Sequence, residues 1–149
     1  MGYNKLENDL PKRTFDILEN YKGEYEVTLL INCLVALLIL PWERFRDQIP
    51  DVDIGTLRKW GLERKHVKKI RCNLCGYNLK EIVLHMRNAT AHMNIKTIND
   101  NNNEIERLIF KDRSGFILEI PVENLKIFVI KLTQSVVEKD LADTAHSTN

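Results

Sequence analysis

The chain lacks most of the features that mark the large specialised protein classes. Three cysteines in 149 residues, Cys33, Cys72 and Cys75, are too few for a disulfide framework. The opening Met1-Gly2-Tyr3-Asn4-Lys5 has none of the apolar core of a secretory signal. Both point to a reducing compartment, with the cytoplasm as the expected location. Charge of one sign is not in excess. The formal net charge is +1, so bulk electrostatics select neither nucleic acid nor membrane, and any such signal must be local. Long hydrophobic runs are missing too. Val27 to Leu40 is the only candidate. It falls short of the roughly 20 apolar residues that span a bilayer, and it carries Thr28 and Asn32. It reads as a buried core helix, and no membrane partner is expected. Internal repeats are absent.

What is present is a helical pattern interrupted once. Asp9-Leu10-Pro11 has the form of a helix start, a capping aspartate followed by a proline in the first turn. Phe15, Leu18, Tyr21 and Tyr25 follow at helical spacing, and Gly23 leaves open whether this is one helix or two. A second helix is expected from about Glu24 to Leu40, apolar nearly all round, and Pro41 ends it. In it Asn32 is expected to be buried and to find a partner, with Thr28 four residues away. Residues 42–53 read as an irregular connection. A third helix is expected from about Asn78 to Met93, with Leu79, Ile82, Val83, Met86, Thr90 and Met93 as its core stripe. Ile95–Ile98, Ile105–Phe110 and Phe116–Ile120 then read as strands, separated by Asn99–Asn103 and by the turn Lys111–Gly115. Pro121 opens a last helix with Leu125, Phe128, Val129, Leu132 and Val136 as its stripe. The fold expected is mainly α, a helical bundle with a small antiparallel β insertion before the last helix. It forms one domain over residues 1–139, followed by a disordered polar tail over 140–149.

The chemistry concentrates at the end of the third helix, in Arg87-Asn88-Ala89-Thr90-Ala91-His92. Cleaving RNA without a metal uses the 2′-hydroxyl as nucleophile. It needs a base for that proton, an acid for the leaving 5′-oxygen, and positive charge on the phosphate. Arginine grips phosphate oxygens in a fork and stays charged, and histidine titrates near neutral pH. On a helix Asn88 and His92 share a face, where the amide can orient the imidazole, and His85 lies on the same side. Arg87 is about 140° round from His92 and roughly 7.5 Å away along the axis. The two therefore aim at one point only if the arginine curls round, or if two copies face each other across a two-fold axis. One imidazole cannot be acid and base at once, so the chemistry favours a homodimer.

Between the second and third helices lies a basic stretch: Arg58, Lys59, Arg64, Lys65, Lys68, Lys69 and Arg71 against only Glu63. Trp60 and His66 are interleaved. Arg58, Lys59, Lys65, Lys68, Lys69 and Arg71 are candidates for contact with an RNA backbone, and Trp60 for stacking on a base. Cys72 and Cys75 have the spacing of half a zinc site. Structural zinc takes four ligands and no second pair exists, so neither a metal nor another cofactor is expected.

Glu26-Val27-Thr28-Leu29-Leu30-Ile31-Asn32-Cys33-Leu34, Leu40-Pro41 and Ile82-Val83-Leu84-His85-Met86-Arg87-Asn88-Ala89-Thr90-Ala91-His92 resemble a family of small bacterial HEPN proteins, often encoded on plasmids or islands. The hairpin followed by Leu125-Lys126-Ile127-Phe128-Val129 is similar as well. The resemblance covers about residues 9 to 138. It implies a helical bundle that dimerises with the motif helix at the interface. It also implies a metal-independent endoribonuclease that leaves a 2′,3′-cyclic phosphate, often in toxin–antitoxin or phage-defence systems, with an antitoxin protein as a further partner. Arg87, Asn88 and His92 are the residues that match its Arg-x4-6-His motif. The chain departs from the pattern at Met93, where a glycine often follows the motif histidine, which leaves the helix exit open. Some HEPN proteins only bind RNA or act as interaction modules, beside a nucleotidyltransferase or an antitoxin. That is the alternative reading.

Overall fold

A computed structural model describes residues 6–39, 46–70 and 78–146. Helix α1 spans Leu6–Asn20 and starts ahead of the expected Asp9. Pro11 therefore lies in its second turn, where the missing N–H forfeits one helical bond but the ring is buried. The chain breaks at Gly23, so there are two helices here. Across the break the Tyr21 hydroxyl accepts from the Tyr25 amide at 3.1 Å.

Helix α2 spans Glu26–Leu34 and continues as a π-helical turn over Val35–Ile39. Leu30, Cys33, Leu34, Leu37 and Leu38 are buried. The Cys33 thiol is pushed up to about 11 by burial, so it behaves as a small core hydrophobe. The helix is not buried all round, however. Thr28 and Asn32, one turn apart, are both exposed. Asn32 is thus satisfied by solvent, and the expected buried partner for it is not needed.

The basic stretch is not a helix face. It forms a 3-10 segment over Ile54–Trp60, a turn at Gly61, a second 3-10 turn over Arg64–His66, and strand β1, Val67–Lys69. Gly61 has φ +74, and a Cβ there would strike the Asn124 carbonyl oxygen. Asn124 in turn donates to the Gly61 carbonyl at 2.9 Å, so this turn is clamped onto the last helix.

Helix α3 spans Leu79–Ala91, and strands β2 (Ile95–Asn99), β3 (Ile105–Lys111) and β4 (Ile117–Pro121) follow within a residue or so of expectation. The sheet is antiparallel in the order β1-β4-β3-β2. β1 is thus a fourth strand contributed by the basic stretch, far away in sequence from the hairpins. Pro121 closes β4 rather than opening the last helix. Helix α4 spans Val122–His146, beyond residue 139 where the domain was expected to end.

Leu108, Phe110, Leu118 and Ile120 alternate inward from the sheet, and Leu125, Phe128, Val129, Leu132 and Val136 of α4 are buried. Each such aliphatic or aromatic side chain contributes roughly 1.5–3 kcal/mol by leaving water. α4 packs along α1 and α2, and α3 packs on the π-helical turn and β3. In α3 the stripe Leu79, Ile82, Val83, Met86, Ala89 and Thr90 is buried. Met93, expected to complete it, is 70% exposed.

Candidate functional site

Sheet register decides what lies near the motif. Lys69 and Lys111 both pair with Ile117, so they occupy one row at one end of the sheet. In the same row the Lys111 amide donates to the Asn94 carbonyl at 3.1 Å, two residues after His92. The motif end of α3, Lys111 and the end of basic strand β1 thus lie toward the same end of the sheet, with β4 and β3 between β1 and the motif. The opposite end of the sheet is acidic. A cleft of about 590 Å³ there is lined by Glu24, Glu26, Glu104, Glu106 and Glu123.

Within the motif, α3 ends in a double hydrogen bond that turns the chain into β2. Met93 N–H donates to the Thr90 carbonyl at 3.0 Å and Asn94 N–H to the Ala89 carbonyl at 2.8 Å. This is the Schellman pattern, which requires a left-handed residue after the cap. Met93 supplies it at φ 49, a conformation that favours glycine. The helix exit that the sequence left open is thus made without glycine. His92 is the cap residue itself and is exposed.

Arg87 is half-buried, with its Nε atom covered. Its Nη1 donates to Asn88 Oδ1 at 3.1 Å. The expectation that Asn88 orients His92 is replaced by a different pairing. The amide holds the guanidinium of its own neighbour. Asn88 stands one turn before His92 on the same side of α3, so this bond ties one guanidinium nitrogen to that side of the helix.

One turn earlier, His85 is held from the β3–β4 turn. Its Nδ1 lies 2.5 Å from Asp112 Oδ2, and its ring stacks on Phe116 at 4.5 Å and 11°. Asp112 Oδ1 accepts from Ser114 Oγ at 2.5 Å, Ser114 N at 2.9 Å and Phe116 N at 3.2 Å. Burial pushes the Asp112 carboxyl up, but the bonds from Ser114, His85 and Phe116 outweigh it and hold the group below the ordinary carboxylate range. Sequence patterning marked 111–115 only as a turn. An Asp-x-Ser turn facing a helix histidine carries no signal until the hairpin is folded back.

The RNA-binding candidates divide. Arg58, Lys59, Lys65, Lys68 and Lys69 are exposed. Arg58 and Arg64 line a cleft of about 270 Å³ that they share with Asp53 and Glu63. Lys65 bridges to Glu63 at 3.1 Å and holds that carboxyl low. Trp60 is half-buried and packed against the core, which limits its ring as a stacking platform. His66 is buried, and its Nδ1 accepts from the Glu63 amide at 3.1 Å. Arg71 and the pair Cys72/Cys75 lie outside the described residues. Among the described residues no cluster of His, Cys, Asp and Glu could hold a metal ion, and no helix is long and apolar enough to cross a membrane.

With this geometry in place, comparison with protein families decides the relationship. The model described as HEPN pEK499 p136 matches residues 1–142. The chain belongs to that HEPN family. The match spans α1 through most of α4, so the whole sheet lies inside the HEPN unit. No curated protein and no solved structure matches the chain.

Proposed function

We propose that this HEPN protein is a metal-independent endoribonuclease that works as a homodimer in the cytoplasm, in a toxin–antitoxin or phage-defence setting. The helical part acts as a HEPN-type bundle with α3 at the dimer interface. Arg87 binds the scissile phosphate, His92 transfers a proton, and Asn88 holds the guanidinium in reach. The observation that supports the reading is the Arg87–Asn88 hydrogen bond, which ties a charged fork to the side of α3 that carries the exposed His92. A phosphate bound between the two residues would meet both charge and a proton-transfer partner. A two-fold arrangement would bring a second guanidinium and a second imidazole to the same cleft. Lys68, Lys69 and Lys111 would steer the RNA backbone toward this end of the sheet.

The test is RNA cleavage by the purified protein in EDTA. Activity should survive chelation, leave a 2′,3′-cyclic phosphate, and disappear in both Arg87→Ala and His92→Ala. Undiminished cleavage by His92→Ala refutes the reading. The second reading, a non-catalytic RNA-binding module with an antitoxin or nucleotidyltransferase as partner, rests on the exposed lysines alone. It predicts salt-sensitive RNA binding without any cleavage.

A further inference from the structure

Among the described side chains there are three imidazoles. His66 is buried with one ring nitrogen committed to the backbone. His92 is in the motif. His85 remains, and it is set up with more care than a surface histidine needs. It precedes His92 by seven residues on α3, so it lies on nearly the same line of the helix, about 10 Å along the axis. Its partner Asp112 is buried, with a side chain only 3% exposed. All of its bonding capacity is used: Oδ1 takes the three donors of the turn, and Oδ2 takes His85 Nδ1. An ionised carboxylate only accepts, so Nδ1 must carry a hydrogen, and in the neutral ring the lone pair is then on Nε2. Ser114 approaches the same Nδ1 edge, at 3.5 Å, so it is not a nucleophile waiting on Nε2. The Nε2 edge faces instead the 43% exposed carboxylate of Glu81, one turn back along α3 at 4.0 Å, which a substrate hydroxyl would have to displace.

We propose that His85 is the general base of the RNA cleavage, with Asp112 as the residue that positions its ring and fixes its tautomer. This inference rests on the ribonuclease reading above. In the step it assigns, Nε2 of neutral His85 takes the proton from the 2′-hydroxyl as O2′ bonds to phosphorus. The bond from phosphorus to O5′ breaks, and the His92 imidazolium gives its proton to O5′. The products are a 2′,3′-cyclic phosphate and a 5′-hydroxyl, with His85 left protonated and His92 neutral. Arg87 neutralises the phosphate throughout. Acid and base then come from one helix face, and a dimer's role is to build the cleft.

The experiment uses the full chain in EDTA. An RNA oligomer with a mapped cleavage site is compared with the same oligomer carrying sulfur in place of the bridging 5′-oxygen. A thiolate leaves without an acid. His85→Gln keeps an amide donor for Asp112 and should lose about 100-fold or more in rate, on both substrates. His92→Ala should lose as much on ordinary RNA and recover most of it on the sulfur substrate. Asp112→Asn should fall by a smaller factor that the sulfur substrate does not repair; it carries the same comparison if His85→Gln does not fold, as judged by its thermal melt. Wild-type cleavage together with near-wild-type cleavage by a folded His85→Gln overturns the inference and leaves the ribonuclease standing. Rescue of His85→Gln by sulfur makes His85 the acid and overturns the assignment. A wild-type protein inert in EDTA overturns both readings.

Discussion

Met93 offers the sharpest test of the motif's local geometry. It holds φ 49 immediately after His92. The left-handed region costs an L-residue roughly 1–2 kcal/mol. Glycine escapes that cost but loses about 0.5–1 kcal/mol more backbone freedom on folding. The side chain is 70% exposed, so little apolar burial is lost with it. Met93→Gly should therefore stabilise the protein by about 0.5–1 kcal/mol, or roughly 2–3 °C in melting temperature for a domain of this size. Both backbone bonds of the helix exit, from Met93 N–H and Asn94 N–H, remain available to glycine. RNA cleavage should accordingly stay at the wild-type level. Urea unfolding with matched m-values provides the measurement. Met93→Ala is the control. It removes the same thioether but keeps the Cβ, so the strain stays and stability should not rise. If Met93→Ala gains as much as Met93→Gly, the benefit comes from side-chain removal and the strain argument is refuted.

Other perturbations follow from the same contacts. Gly61→Ala should cost about 2–4 kcal/mol in urea unfolding, because the new methyl meets the Asn124 carbonyl and φ +74 disfavours it. Asp112 lies below its unfolded value. Its contribution is complete above about pH 4 and is lost as pH falls through the folded value. Asp112→Asn should destabilise by about 3 kcal/mol at neutral pH and flatten that acid limb in pH-dependent melts. Burial pushes the His66 imidazole down, with Glu63 pulling weakly the other way. Its contribution is present above about pH 6.5 and lost as pH falls, so His66→Gln should remove the part of the stability loss that begins just below that pH. Lys68→Gln with Lys69→Gln should lower the salt dependence of RNA binding by at most about 1.4 logarithmic units, at roughly 0.7 per phosphate contact on a single strand. Successive strand residues point to opposite faces, so a drop near 0.7 is expected; an unchanged slope would count against β1 as a backbone contact.

The elements with strong local periodicity were legible before folding. α3, the three consecutive strands and the stripe of α4 carry their own signal, because each buries one face at a fixed repeat. β1 was not legible. Val67-Lys68-Lys69 has one buried residue in three, and its pairing with β4 depends on a partner some fifty residues away. The shape of the basic stretch was hidden for the same reason. Arg58 to Lys69 shows no apolar repeat, and its shape is dictated by the Gly61 clamp and the β4 edge. Met93 misled because spacing assigns it to the core stripe, while the helix ends before its side chain can point inward.

The site divides along the same line. Residue types and spacing located Arg87, Asn88 and His92, since their chemistry is intrinsic. Their relations were not intrinsic. Helical geometry made Asn88 a natural partner for His92, but its amide oxygen is taken by the neighbouring guanidinium, a charged and therefore strong donor. That exchange moves the argument for a dimer. The Arg87 head group is tied to Asn88, which lies about 40° round from His92, so the mismatch of about 140° narrows within one chain. What still demands a second group is the pair of proton transfers. His85 and a partner's His92 are rival sources for it, and the sulfur-substituted RNA separates them, because only a base within the same helix leaves His85→Gln inactive when no acid is required.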